Sequence, residues 1–279
     1  MFITRLISGI VLLAAAAAFF VVGDIWLVIA LGILSLIGVF ELFRIFGMNK
    51  HPMAIVTYVA TVCFYAMLID YPFYFNLYEH GIMPIITVLA LLVVYVIRYP
   101  KDRINQVAKS IFVFIYVPVM MNFIYLIRTC SMGEWLVWLV LIGSWGADTC
   151  AYCVGKLIGK HHFTELSPKK TIEGCIGGVV GAALIAFGYA WFVPAEMGEY
   201  FMLNPKIMLP IVAAVSALVS QIGDLSASAI KRNYDKKDYG KLIPGHGGIL
   251  DRFDSVIFVA PFVYILLNIF ARIMTYYAS

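Results

Sequence analysis

The sequence predicts an all-α polytopic membrane protein with about nine transmembrane helices, and three observations carry that expectation. Of the 279 residues, 63% are hydrophobic and only 13% charged, with a mean hydropathy of +0.93. A soluble domain of this length would lack the polar surface to cover itself. The apolar residues fall in blocks of about 17–24, long enough to cross a hydrocarbon core of about 30 Å as helices. The blocks are continuous rather than alternating, which excludes a β-barrel, the other fold that satisfies its backbone polar groups inside lipid.

Nine blocks follow one another, at 6–22, 25–43, 53–70, 82–97, 110–127, 135–155, 172–193, 207–230 and 255–275. The first has Arg5 ahead of an apolar stretch and an alanine run at 14–18, as a signal peptide does. Its apolar core is too long for a typical cleaved signal and eight spans follow, so it reads as a retained first helix. The next four are apolar spans on short connectors, with no constellation suited to catalysis. The sixth carries Asp148 within Gly143-Ser-Trp-Gly-Ala-Asp-Thr149, and the eighth carries Asp224 within Gln221-Ile-Gly-Asp-Leu-Ser-Ala-Ser228. The ninth is entered through Gly247-Gly248 and Asp251-Arg-Phe-Asp254. No internal repeat or low-complexity linker interrupts the series.

The basic residues orient these spans. With a cytoplasmic N-terminus and nine crossings, the N-terminus and the segments near 44–52, 98–109, 156–171 and 231–254 share one side. That side holds 17 of the 20 Lys and Arg residues, leaving Arg128, Lys206 and Arg272 opposite. Positively charged loops stay in the cytoplasm, so the C-terminus is expected outside it. The length, with no soluble extension, suggests a bacterial inner-membrane protein.

Chemistry-capable residues concentrate in 144–174 and 221–255. At 1.5 Å per residue, Asp148 lies roughly 12 Å before Lys156 and Asp224 roughly 10 Å before Lys231, so the two acids share a depth below one membrane face. An ionised carboxylate there is costly unless paired, hydrated or metal-bound. A structural ion pair explains either acid alone; the two together point to a shared polar cavity. Asp251 and Asp254, at i and i+3, share one face at a helix start, where a capping role competes with metal binding. Acids of this kind suit Mg²⁺, which prefers carboxylates with phosphate oxygens and water. Around them stand Lys231, Arg232, Lys236, Lys237 and Lys241 in one loop and Lys169 and Lys170 in the other. Juxtamembrane cations serve topology and anionic headgroups in general; acids for a metal, bases for phosphates and glycines for backbone approach are the specific combination. Lys156, Lys160, His161 and His162 lack that framework and read as surface residues. His246, within Pro244-Gly-His-Gly-Gly248, sits in a constrained loop that presents its side chain.

The five cysteines lie in or beside apolar segments. Cys150-Ala-Tyr-Cys153 has the form of a redox or zinc pair, but no second pair completes a metal site, and packing within the span is the simpler reading. No disulfide is assigned.

Residues 228–254, from Ser228 through Lys231-Arg232, Lys237-Asp238 and His246-Gly-Gly248 to Asp251-Arg-Phe-Asp254, resemble the signature of the phosphatidate cytidylyltransferase (CDP-diacylglycerol synthase) family at every defined position. Ser167-Pro-Lys-Lys-Thr-Ile-Glu-Gly174 is similar to the family's other cytoplasmic motif, and Asp148 in Gly-Ala-Asp-Thr has its counterpart there. Cys150 is one departure, where a small residue such as Ala is expected. The resemblance divides the chain into hydrophobic N-terminal transmembrane helices, 1–135, and a catalytic transmembrane region, 136–279, with cytoplasmic loops 156–171 and 231–254.

It implies transfer of a cytidylyl group from CTP to phosphatidic acid in the bilayer at the cytoplasmic face, a Mg²⁺ requirement and a homodimer; no nucleic acid partner is expected. Asp224, Asp251, Lys231 and Arg232 would carry the catalysis. Ser228, Lys237, His246, Gly247, Gly248, Arg252, Lys169 and Lys170 would bind substrate. Asp224 and Asp251, with Asp254 and Asp148, would hold the metal. A transporter is the competing reading, since intramembrane acids suit an ion pathway, but the polar residues here crowd one face instead of the bilayer midplane. The CDP-alcohol phosphotransferases are disfavoured because their pattern begins with Asp-Gly, a dipeptide absent from this chain.

Overall fold

The computed structural model describes residues 2–70, 77–162, 164, 166–243 and 247–278. Among them, eight segments are helical, long and apolar enough to cross a bilayer: Asp24–Ile45, Pro52–Ile69, Gly81–Arg98, Ile104–Thr129, Gly133–Ile158, Ile172–Tyr189, Pro205–Asn233 and Leu250–Ala271. A shorter apolar stretch, Ile7–Val22, lies in the first helix. The nine expected blocks are therefore all helical, eight of them full spans. The described residues contain two isolated bridges and no strand.

The helices are α1 (Phe2–Val22), α2 (Asp24–Ile45), α3 (Pro52–Asp70), α4 (Leu77–Arg98), α5 (Ile104–Phe114), α6 (Met120–Thr129), α7 (Gly133–Leu136), α8 (Trp138–Leu141), α9 (Ala147–Ile158), α10 (Ile172–Tyr189), α11 (Glu196–Phe201), α12 (Pro205–Asn233) and α13 (Leu250–Ala278). Two spans contain a π-helical turn, Ile115–Val119 and Ile142–Gly146. The first turn holds Pro118, which has no N–H to give the ladder. Its carbonyl accepts from the Tyr65 hydroxyl at 3.1 Å. The second turn ends two residues before Asp148, and π turns of this kind often mark functional sites.

The chain forms two compact units, Met1–Tyr125 with Tyr234–Arg252, and Leu126–Asn233 with Phe253–Ser279. In the first, Met53, Leu91 and Val107 form a buried cluster of α3, α4 and α5. Gly38 of α2 gives room for the side chains of Val117 and Leu250. The segment beginning at Tyr234 is gripped from this unit. The Tyr234 ring lies 5.1 Å from that of Phe46, and the Lys109 ammonium stands over both rings at 5.3 and 5.4 Å. Outside the spans, Asp102 binds Arg98 at 2.7 Å and His51 at 3.2 Å.

In the second unit, Gly177, Gly178 and Gly181 of α10 lie against Val154, Ala147, Ala151 and Cys150 of α9, so close that a Cβ would collide. Small residues at i, i+1 and i+4 let two membrane helices approach backbone to backbone. Gly143 of the π turn makes the same accommodation for Ser216 of α12. Large side chains such as Leu184, Val180 and Ile222 remain exposed, as lipid-facing surfaces do.

Candidate active site

The second unit contains a cavity of about 360 Å³. Its wall is Asp148, Ala151, Tyr152, Gly155 and Lys156 from α9, Lys169, Lys170 and Thr171 from the connecting loop, Gly174 and Cys175 from α10, and Gln221 and Asp224 from α12. Local chemistry fixes this wall. The Thr171 hydroxyl caps α10 by accepting from the Gly174 amide at 3.1 Å, the Ser/Thr cap expected at a helix start. The Glu173 carboxylate accepts from the amides of Lys160 and His161 at 3.2 and 3.3 Å and meets the His161 ring at 2.6 Å. The loop is thereby folded back on the helix it enters, with Lys169 and Lys170 at the cavity. The Gln221 amide donates to the Cys175 carbonyl at 3.0 Å, tying α12 to α10.

Lys170 Nζ stands 2.5 Å from Asp224 Oδ2, a contact of charges without hydrogen-bond geometry. Asp254 is 7% exposed and interacts electrostatically with Asp224, Lys231 and Asp148. The Ser255 hydroxyl donates weakly to Asp148 at 3.4 Å. Asp148, Asp224, Asp254, Lys169, Lys170 and Lys231 therefore share one polar region in a unit that is otherwise apolar. No group of three or more His, Cys, Asp or Glu side chains among the described residues is arranged to hold a metal ion. The three carboxylates are all-oxygen donors, the chemistry that suits Mg²⁺.

In the first unit, Asp251 Oδ2 accepts from the amides of Tyr239 at 2.7 Å, Gly248 at 2.9 Å and Gly240 at 3.4 Å. These three amides all precede α13, so Asp251 ties the preceding segment to the helix start and does not cap the helix's own amides. Gly247 has φ of +90°, a left-handed conformation in which a Cβ would also meet the Asp251 carboxylate, so only glycine sits there at low cost. Ser228 and Arg252 are half-buried, Arg232 and Lys237 exposed; His246 lies outside the described residues.

Sequence reasoning missed Lys156, Tyr152 and Gln221, all in the cavity wall. Lys156 was set aside as a surface residue; it is exposed, stands 5.9 Å over the Tyr152 ring, and adds a third cation to the cavity. The signal was present in its spacing, eight residues after Asp148 and a little over two turns along the same helix. Glu41 was also missed. This α2 residue is 3% exposed and binds the amides of Ile249 and Leu250.

Residues 3–270 match the Cytidylyltransferase family. The chain belongs to that family. Relatives include the phosphatidate cytidylyltransferase of Bacillus subtilis (strain 168), 39% identical over 159 residues, which are 56% of each chain. Those of Staphylococcus aureus (strain COL) and Staphylococcus epidermidis (strain ATCC 12228) are each 40% identical over 147 residues, 52% of this chain and 54% of theirs. The chain spans about half the length of these relatives. A cavity lined by two acids and three lysines has the chemistry to bind a phosphorylated ligand.

Proposed function

We propose that this protein transfers a cytidylyl group from CTP to phosphatidate, giving CDP-diacylglycerol and pyrophosphate for phospholipid synthesis. The observation that carries this reading is the cavity at which Lys156, Lys169 and Lys170 meet Asp148 and Asp224. The names of the relatives and the complete signature at 228–254 support the choice of substrates. A phosphate oxygen of the lipid attacks the α-phosphorus of CTP, the bond from that phosphorus to the bridging oxygen breaks, and pyrophosphate departs with the electron pair. The lipid phosphate is already ionised near neutral pH, so positioning and charge neutralisation do the work.

Lys169, Lys170 and Lys156 hold phosphate oxygens at the cavity. Lys231 and Arg232 supply further cations from the α12 end, and Lys237 keeps its proposed share in substrate binding on the motif alone. Asp224, with Asp148 and Asp254, would hold Mg²⁺; Asp251 keeps its proposed share in this role on the motif alone. The ion, when bound, supplies charge neutralisation on the transferring phosphates. The membrane placement proposed is multi-pass in a bacterial inner membrane with the N-terminus and the cavity cytoplasmic, as a homodimer.

The test is incorporation of label from α-³²P-CTP into lipid by purified protein, with and without phosphatidate and Mg²⁺. We expect phosphatidate-dependent label in a lipid retaining one cytidine monophosphate and none from γ-labelled CTP. Equal incorporation from ATP, or transfer of the terminal phosphate, would overturn the reading in favour of a lipid kinase.

A further inference from the structure

We infer that Glu41 is a positioning residue that sets the geometry of the 239–250 segment from the second helix. In α2, an apolar span, its side chain is 3% exposed. Oε1 accepts from the Ile249 amide at 3.1 Å and Oε2 from the Leu250 amide at 2.9 Å. These amides open α13 and are among the donors that a helix leaves without intrahelical partners. A helix start also favours negative charge. The cap is thus supplied by a side chain 208 residues earlier in the chain.

Three further observations tie Glu41 to the whole segment instead of to one helix end. A Cβ on Gly248 would run into the Glu41 carboxylate, and one on Gly240 would do the same. Both glycines therefore make the room that the carboxylate fills. One turn along α2, Arg44 donates to the Tyr239 carbonyl at 2.5 Å. Asp251 takes the amides of Tyr239, Gly240 and Gly248 from the other side of the backbone sequence, so the two acids divide five amides of this segment between them. Neither Ile249 nor Leu250 can shift without leaving an amide and a carboxylate oxygen unpaired. Gly247 and Gly248 of the signature are thus carried on backbone whose path Glu41 helps fix.

The kinetic part of this inference rests on the cytidylyl-transfer reading; the structural part does not. Full-length Glu41→Gln protein in detergent is the test, because Gln keeps the shape but replaces one acceptor oxygen by an NH₂ donor. Hydrogen–deuterium exchange should rise about tenfold in peptides covering 239–252 and stay unchanged in 205–230, since one amide loses its acceptor. The kcat of the folded protein should fall about tenfold or more with KM for CTP nearly constant, the pattern of an interaction that matters in the transition state. If exchange is unchanged, or rises while kcat stays at the wild-type value, the positioning role is overturned. Should the Gln variant fail to accumulate, Glu41→Asp, which withdraws the charge by one methylene, is read by the same two measurements. A wild-type protein that fails to incorporate cytidylate defeats the functional reading instead, and the exchange result alone then decides whether Glu41 holds the segment.

Discussion

Asp224 is met by Lys170, 2.5 Å away in the cavity wall of the second unit, so the acid in α12 and the lysine in the 159–171 loop hold each other there. The pair joins two segments whose roles were read separately from the sequence. It also makes Asp224 the acid whose replacement is most informative.

Asp224→Asn keeps the volume and removes the charge. If this acid serves a metal-assisted transfer, turnover should fall by about a thousandfold, while folding in detergent persists. Asp235→Asn is the matched control. Asp235 is exposed with φ of 52°, a conformation that Asn also adopts, so this variant should keep full activity in the labelled-CTP assay. Near-normal turnover of Asp224→Asn would remove the acid from the chemistry.

Asp251→Ala deprives three amides of their shared acceptor, those of Tyr239, Gly240 and Gly248. The segment should then open locally, and trypsin should cut at Lys236, Lys237 or Lys241 about tenfold faster than in the wild type. Time courses resolved by intact-mass spectrometry check this. An unchanged cleavage rate would mean that these hydrogen bonds do not hold the segment.

Asp102 offers a pH test away from the cavity. It is covered by its neighbours but close beneath the molecular surface, and the Arg98 guanidinium beside it, followed by His51, holds its carboxyl below the ordinary value of 3.8. A depressed folded-state pKa stabilises above the unfolded value and loses that contribution as pH falls through the folded value. Asp102→Asn should therefore lower the melting midpoint at pH 7, and the gap from wild type should close as pH drops below about 4. A gap independent of pH would show that the Asn variant acts through shape alone.

Orientation is open to direct chemical labelling. A cysteine placed within 235–241 should react with an impermeant thiol reagent only from the cytoplasmic side, and one within 195–203 only from the opposite side. The asymmetry of 17 basic residues against 3 motivates this. Reaction of both from one side would refute the alternation of spans.

The helices were legible because lipid demands long apolar runs, and the blocks at 207–230 and 255–275 reappear in α12 and α13 with edges moved by a few residues. Asp148 and Asp224 were legible for the same reason, since a charge inside an apolar block stands out. Lys156 was not, because basic residues at span ends are expected everywhere. Glu41 was not, because an acid within a 22-residue helix reveals no partner when that partner is 208 residues away. The placing of 234–252 with the first five helices was hidden likewise: a loop between two spans reads as belonging to those spans, and only aromatic, guanidinium and carboxylate contacts from α2 and α5 say otherwise.

The distance between Glu41 and Ile249 along the chain has a consequence for biogenesis. At a synthesis rate of about 5–20 residues per second, α2 leaves the ribosome roughly 10–40 s before the amides that will hydrogen-bond its carboxylate. Throughout that interval the insertion machinery handles a helix bearing an unsatisfied acid, which it must keep hydrated, protonated or shielded. The arrival of α13 is what releases the nascent protein from this obligation.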